Sequence, residues 1–243
     1  MLVNRFGPED GSPVLLLHGG GVAGWMWDSL RQRLEPDHVV LVPDLPGHGG
    51  SAGEPYRSHA ATVGELAEML ALHGRAAVIG FSLGAQLAIE LASRHADLVD
   101  RVMVVSAQAK ALPLTGLTLR TLGLAAPLAR RRWFATLQAR ELFIPPHLLE
   151  QYIDTSAHIT RETLLASVGD NLRFELPKEW ADYRGRALVM AGRRERALMR
   201  DSAAMIHAAL PGSELEVVDG CGHGIPLQRP EWFADRVARW LSH

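Results

Sequence analysis

Six short apolar runs divide this chain: Val14–Leu17, Val39–Val42, Ala76–Gly80, Val99–Val105, Ala187–Ala191 and Leu215–Val218. They are β-branched or leucine-rich and bounded by Gly, Pro or Asp. Runs of this length without polar alternation read as strands covered on both faces, the condition of a parallel sheet. Between them, Thr62–Leu72, Leu83–Arg94, Met199–Leu210 and Glu231–Leu241 repeat apolar residues at spacings of three and four, the period of a helix packed on one side. Strands alternating with helices require an α/β domain with right-handed crossovers. The alternation stops between residues 109 and 180. There the patterns are helical only, over Leu117–Leu128, Trp133–Phe143, His147–Ile153 and Thr160–Leu172, with Pro127, Pro145 and Pro146 as breaks. The expected organisation is a core of residues 1–108 and 181–243, with a helical lid of residues 109–180 laid over one end of the sheet. Arg130–Arg132 reads as a solvated helix face.

Composition narrows the function. With 243 residues, 47% hydrophobic and 21% charged, the chain can bury a full core. A net charge of −2 gives the whole chain no bias toward nucleic acid or an anionic membrane. No segment reaches the roughly 18 apolar residues of a membrane span. Met1–Phe6 is too short for a signal-peptide core and is followed by Glu9 and Asp10. A single cysteine, Cys221, excludes an internal disulfide. The expectation is a soluble, cytoplasmic protein whose partner is a small molecule.

Chemistry enters at Gly80-Phe81-Ser82-Leu83-Gly84, a G-x-S-x-G directly after one strand pattern and at the start of a helix. A sharp strand-to-helix turn strains the backbone at the serine, and small flanking residues relieve the crowding. The hydroxyl then stands at the sheet's C-terminal edge, and the Leu83 N–H at the helix start can face an oxyanion. Without that role, Ser82 is a helix cap in a glycine turn. Gly19–Gly24 fits two patterns. As G-x-G-x-x-G with Asp44 twenty residues on, it matches a dinucleotide fingerprint. As His18-Gly19-Gly20, it matches the glycine loop that gives serine hydrolases a second oxyanion donor. His18 before the loop, the turn Leu45-Pro46-Gly47-His48-Gly49 where a dinucleotide unit would continue into a helix, and the serine turn one crossover later favour the second.

A serine nucleophile needs a histidine base held by a third group. His223 sits in Gly220-Cys221-Gly222-His223-Gly224, just past the last strand and on the edge that carries Ser82. The acid belongs on the loop after an earlier strand, and Glu195, in Gly192–Arg196, is the one carboxylate there before the next helix. Asp201, inside that helix, and Asp219, four residues before His223, are alternatives. Glu195 also reads as a surface glutamate among arginines. Cys221 reads as buried filler.

On His18-Gly19-Gly20, Asp44–Gly49, Gly80–Gly84 and Gly222-His223, the chain resembles the α/β-hydrolase superfamily of the single-domain type with a helical cap. The resemblance implies an oxyanion hole from the Gly20 and Leu83 N–H groups, structural roles for Asp44 and His48, and Trp27 packed behind the hole. The chain departs from the family pattern in two places: Glu195 stands where the family usually has aspartate, and only 17 residues precede His18, so the expected sheet is one strand short, starting at Leu2–Phe6. A serine at the elbow argues against the dehalogenases and epoxide hydrolases of similar shape, which use aspartate there. The expected activity is hydrolysis of a small to medium neutral ester or lactone, without metal or cofactor, with Trp133, Phe134 and Phe143 of the lid as substrate-pocket walls. Carbon–carbon bond hydrolysis or lysis at the same serine, and a non-catalytic binding protein on this scaffold, are the competing readings.

Overall fold

The apolar runs pair side by side into one seven-stranded sheet in the order β1-β3-β2-β4-β5-β6-β7, in a computed structural model that describes residues 1–126, 128 and 131–242. The strands are β1 (Val3–Phe6), β2 (Ser12–Leu17), β3 (His38–Pro43), β4 (Ala76–Phe81), β5 (Val99–Val105), β6 (Arg186–Gly192) and β7 (Glu214–Val218). Only β1 is antiparallel, pairing Val3 with Pro43 and Phe6 with Val40. The other pairs are parallel, so every crossover returns over a face of the sheet.

Both faces are apolar because alternate residues point opposite ways. Leu15, Leu17, Val78, Val102, Val104 and Val189 face one layer, formed by α2 (His59–Ala71), α3 (Leu83–Arg94) and α8 (Ala197–Ala209). Val14, Leu16, Ile79, Met103, Val105 and Leu188 face the other, formed by α1 (Asp28–Leu34) and α10 (Pro230–Leu241). Trp27 is buried there and stacks on Phe233 at 6.1 Å between ring centres. The short α1 carries just Leu30 and Leu34 inward, too little for its period to register in the sequence.

Among the described residues between β5 and β6 lie the helices α4 (Thr115–Ala125), α5 (Arg132–Glu141), α6 (Leu149–His158) and α7 (Arg161–Arg173). The pattern anticipated over Leu117–Leu128 extends onto Pro127, which with Arg130 and His243 lies outside the described residues. α5 ends before Phe143 because that residue takes a left-handed φ of 59°. α6 starts later than expected because Pro146–Leu148 first forms a single 3₁₀ turn, and it then runs on to His158. The Thr160 side chain caps α7 by accepting from the Thr163 N–H. The last short helix of the core, α9 (Ile225–Gln228), follows the His223 loop.

The turn at Ser82 brings a strand end, a helix start and a neighbouring strand into close approach. A Cβ on Gly84 would lie 2.2 Å from the Leu17 carbonyl oxygen, and one on Gly80 would lie 2.2 Å from the Gly84 oxygen. Backbone cannot yield as a flexible side chain can. Gly84→Ala is therefore expected to cost at least about 2 kcal/mol through overpacking, read as a lowered midpoint in urea unfolding. Gly64→Ala, at a helical glycine with nothing within 4 Å, should leave the midpoint unchanged or slightly raised.

Candidate active site

Strand β4 delivers Ser82 into the turn with φ 53° and ψ −112°, a conformation that L-residues adopt only under constraint. The Ser82 N–H donates to the Val105 carbonyl at 2.9 Å, and the Ser82 carbonyl accepts from Ala85 and Gln86, so both sides of the strained residue are tied. The hydroxyl is half-buried.

His223 meets it from the loop after β7. The His223 Nε2 lies 3.1 Å from Ser82 Oγ, and Nδ1 lies 2.7 Å from Glu195 Oε1. A carboxylate can only accept, so Nδ1 carries the proton and Nε2 is left to accept from the serine. The Glu195 side chain is fully buried, and its other oxygen accepts from the Gly192 N–H at 3.0 Å. A tight turn folds Glu195 back, with its N–H donating to the Gly192 carbonyl. The extra methylene is thus absorbed beneath the histidine, not in solvent among the arginines. Asp201 lies within α8, exposed, and Asp219 is exposed and paired with Arg193, so neither competes for His223.

Residues that carry no motif hold the histidine loop. Gln228 of α9 accepts from the Gly222 N–H at 2.7 Å. Gly192 admits the loop, since a Cβ there would lie 2.3 Å from the Gly222 oxygen. The Phe81 ring lies 5.2 Å from the His223 ring. Burial pushes the Cys221 thiol up, with Arg229 and Arg194 acting weakly the other way, which leaves it a protonated packing residue.

The glycine loop after β2 lies beside the serine. Gly20 lines the same cavity as Ser82 and faces the Leu83 side chain. Leu83 is the first residue of α3, so its N–H has no partner within the helix. The dinucleotide alternative does not fit Asp44. Its Oδ1 accepts from Gly24 N–H and its Oδ2 from Gly50 N–H, both at 2.7 Å, so both oxygens staple this loop to the next turn. A 3₁₀ turn, Gly24–Trp27, follows the glycines in place of a long helix.

His18 sits under this loop without touching solvent. Its Nδ1–H donates to Gly19 O at 2.8 Å, and its Nε2 accepts from Leu45 N–H at 2.9 Å. Burial, with His48 edge-on at 5.3 Å adding to it, drives its pKa down to about 3. Burial lowers the pKa of His48 as well, although its ring bonds the Pro46 carbonyl.

A cavity of about 980 Å³ covers Ser82, walled by the insert helices. Leu122, Phe134, Leu142, Leu164, Val168 and Leu172 make it mostly apolar, and His48, Gln138, Tyr152 and Asn171 add polar groups. Burial raises the Tyr152 pKa to about 12, which keeps its hydroxyl neutral. Of the three aromatics expected as walls, Phe134 lines the cavity. Phe143 packs on the histidine loop, against Gly222 and Gly224. Trp133 is a correction: it is 63% exposed and lies outside the cavity, because α5 turns Ala135 and Ala139 inward. Nothing in the helical period singled out Tyr152 or Gln138, whose place depends on how α5 and α6 pack. Trp25 ties the glycine loop to the insert by donating to Thr155 Oγ1 at 3.0 Å. Among the described residues no cluster of His, Cys, Asp and Glu forms a metal site, and no helix is long and apolar enough to cross a membrane.

Residues 14–236 match the model of the alpha/beta hydrolase family, and the chain belongs to that family. The pimeloyl-[acyl-carrier protein] methyl ester esterase of Aromatoleum aromaticum is 27% identical over 90% of this chain and 93% of its own. Among solved structures, an esterase of Exiguobacterium antarcticum superposes with TM-score 0.85 at 19% identity, covering 99% of this chain and 95% of that one. The enol-lactonase of Burkholderia xenovorans superposes at 0.81 with 22% identity, covering 100% and 96%.

The buried histidine has a pH consequence. Below about pH 6.5 the unfolded chain takes up a proton at His18 that the folded chain refuses down to about pH 3. Stability therefore falls as pH drops through that window. Between pH 6.5 and 5, His18 alone is expected to remove up to about 2 kcal/mol. Urea unfolding across that range should show the loss, and His18→Asn should flatten it while lowering stability at pH 7.

Proposed function

We propose that this hydrolase cleaves a carboxylic ester or lactone through Ser82, His223 and Glu195. The observation that carries the reading is the unbroken hydrogen-bonded line from Glu195 to His223 to Ser82, ending at an apolar cavity. Ser82 Oγ attacks the carbonyl carbon as His223 Nε2 takes its proton, while Glu195 keeps the imidazole oriented and stabilises the imidazolium. The N–H groups of Gly20 and Leu83 receive the oxyanion, a contribution of about 3 kcal/mol per donor in such sites. The leaving alcohol, or the ring oxygen of a lactone, takes the proton from His223. Water then enters by the same base and releases the acid from the acyl-serine.

A cavity of this size and character suits a small to medium apolar acyl group. The esterases and the lactonase among the similar proteins support the same substrate class. The bond from Glu195 to His223 favours catalysis over a purely binding role, since an orienting acid has no use without a base to orient.

Treatment with a fluorophosphonate, read by intact mass, tests this. The expected outcome is rapid stoichiometric labelling that Ser82→Ala abolishes and Glu195→Gln slows by about 10⁴-fold. A folded chain that does not label would overturn the mechanism and leave the ligand-binding reading. A chain that labels but hydrolyses no member of an ester and lactone panel would move the reading to carbon–carbon bond cleavage at the same serine.

A further inference from the structure

Of the eleven large apolar side chains exposed among the described residues, six lie between Leu114 and Leu137. They are organised by helix period. On α4, Leu117, Arg120 and Leu124 stand at i, i+3 and i+7 and share one exposed face. The opposite face of α4 turns to α7, where Leu119 approaches Gly169 and the Gly123 carbonyl accepts from Arg161 Nε. On α5, Trp133, Leu137 and Arg140 stand at i, i+4 and i+7 and are likewise exposed, while Ala135 and Ala139 are buried. Thr118 and Thr121 are exposed and also line the Ser82 cavity, so its mouth lies on this side of the insert.

The charge of this segment is one-sided. Residues 110–141 contain six Lys and Arg against one acid, Glu141 at the end of α5, in a chain whose net charge is −2. Of these, Arg132 is paired with Glu150, while Lys110, Arg120, Arg131 and Arg140 are exposed. A patch of leucine and tryptophan of this density marks a binding surface. A second copy meeting it through the same face would bring two surfaces of net positive charge together. The partner that fits is apolar beneath and anionic on top.

We propose that the outer face of α4 and α5 docks on an anionic lipid surface. Leu117, Leu124, Trp133 and Leu137 enter the boundary between headgroups and acyl chains, and Arg120, Arg131 and Arg140 meet the lipid phosphates. This is peripheral attachment and needs no spanning helix. The whole-chain charge conceals it because acidic residues elsewhere cancel the local excess. Docked this way, the cavity mouth faces the lipid, and an apolar ester reaches Ser82 without crossing bulk water.

Co-sedimentation of the full chain with vesicles tests the proposal. Vesicles of phosphatidylcholine and phosphatidylglycerol should bind at least about tenfold more tightly than phosphatidylcholine alone, with the difference lost in high salt. Leu117→Ser with Leu124→Ser, and separately Arg120→Gln with Arg140→Gln, should each weaken binding about tenfold. Both pairs are exposed and should leave the melting temperature and fluorophosphonate labelling unchanged. Equal or absent binding to the two vesicle types would overturn the proposal, as would a dimer in solution that the leucine variants dissolve. Vesicle binding does not depend on Ser82, so loss of labelling with binding retained would count against the hydrolase reading alone.

Discussion

The rest of the site depends on one close backbone approach. Gly84 at the start of α3 lies so near the carbonyls of Leu17 and His18 that a Cβ there would fall within 2.6 Å of both oxygens. That contact packs the start of α3 directly onto the end of β2, next to the positive φ of Ser82. It also sets the glycine loop after β2 beside the helix's first N–H groups. A turn without side chains on either flank is the only way to bring a strand end, a helix start and a neighbouring loop into one small volume. The strain at Ser82 is held by the hydrogen bonds on both sides of it, which the paired sheet and the helix supply.

Around that turn, polar side chains act as staples between loops that share no secondary structure. Asp44 joins the glycine loop to the turn after β3. His18, kept neutral by burial, joins it to Leu45. Gln228 fixes the histidine loop, and Glu195 fixes both its own turn and His223. Asp44, His18 and Glu195 are buried with their hydrogen-bonding groups engaged, which is the condition for a polar group inside a protein to stabilise it. The site is therefore positioned by sheet edge and staples together, while the insert supplies its roof and joins the core through Trp25 and Thr155.

Much of this is legible in the sequence. The six apolar runs all became strands, since continuous β-branched and leucine runs can be satisfied only inside a sheet covered on both faces. The serine turn, the histidine loop and Glu195 could be placed because strand ends on one edge of a parallel sheet are neighbours whatever their separation in sequence. The insert was less legible. Its helices follow from period, but Trp133 and Phe143 do not line the cavity as their aromatic character suggests. Helical period tells which residues share a face and not which face turns inward. For α5 that choice was made by the small residues Ala135 and Ala139 packing against the core.

The sequence by itself determined the main strands and helices, the serine turn and which histidine and carboxylate loops fall on its edge of the sheet, because these follow from local period, glycine stereochemistry and chain order. Tertiary structure alone decided that Glu195 folds under His223 and away from solvent, that both oxygens of Asp44 are committed to two loops, and that Leu117 and Leu124 of α4 and Trp133 and Leu137 of α5 are left exposed. Those facts depend on distances between segments far apart in the chain, and no local pattern of residues encodes such a distance.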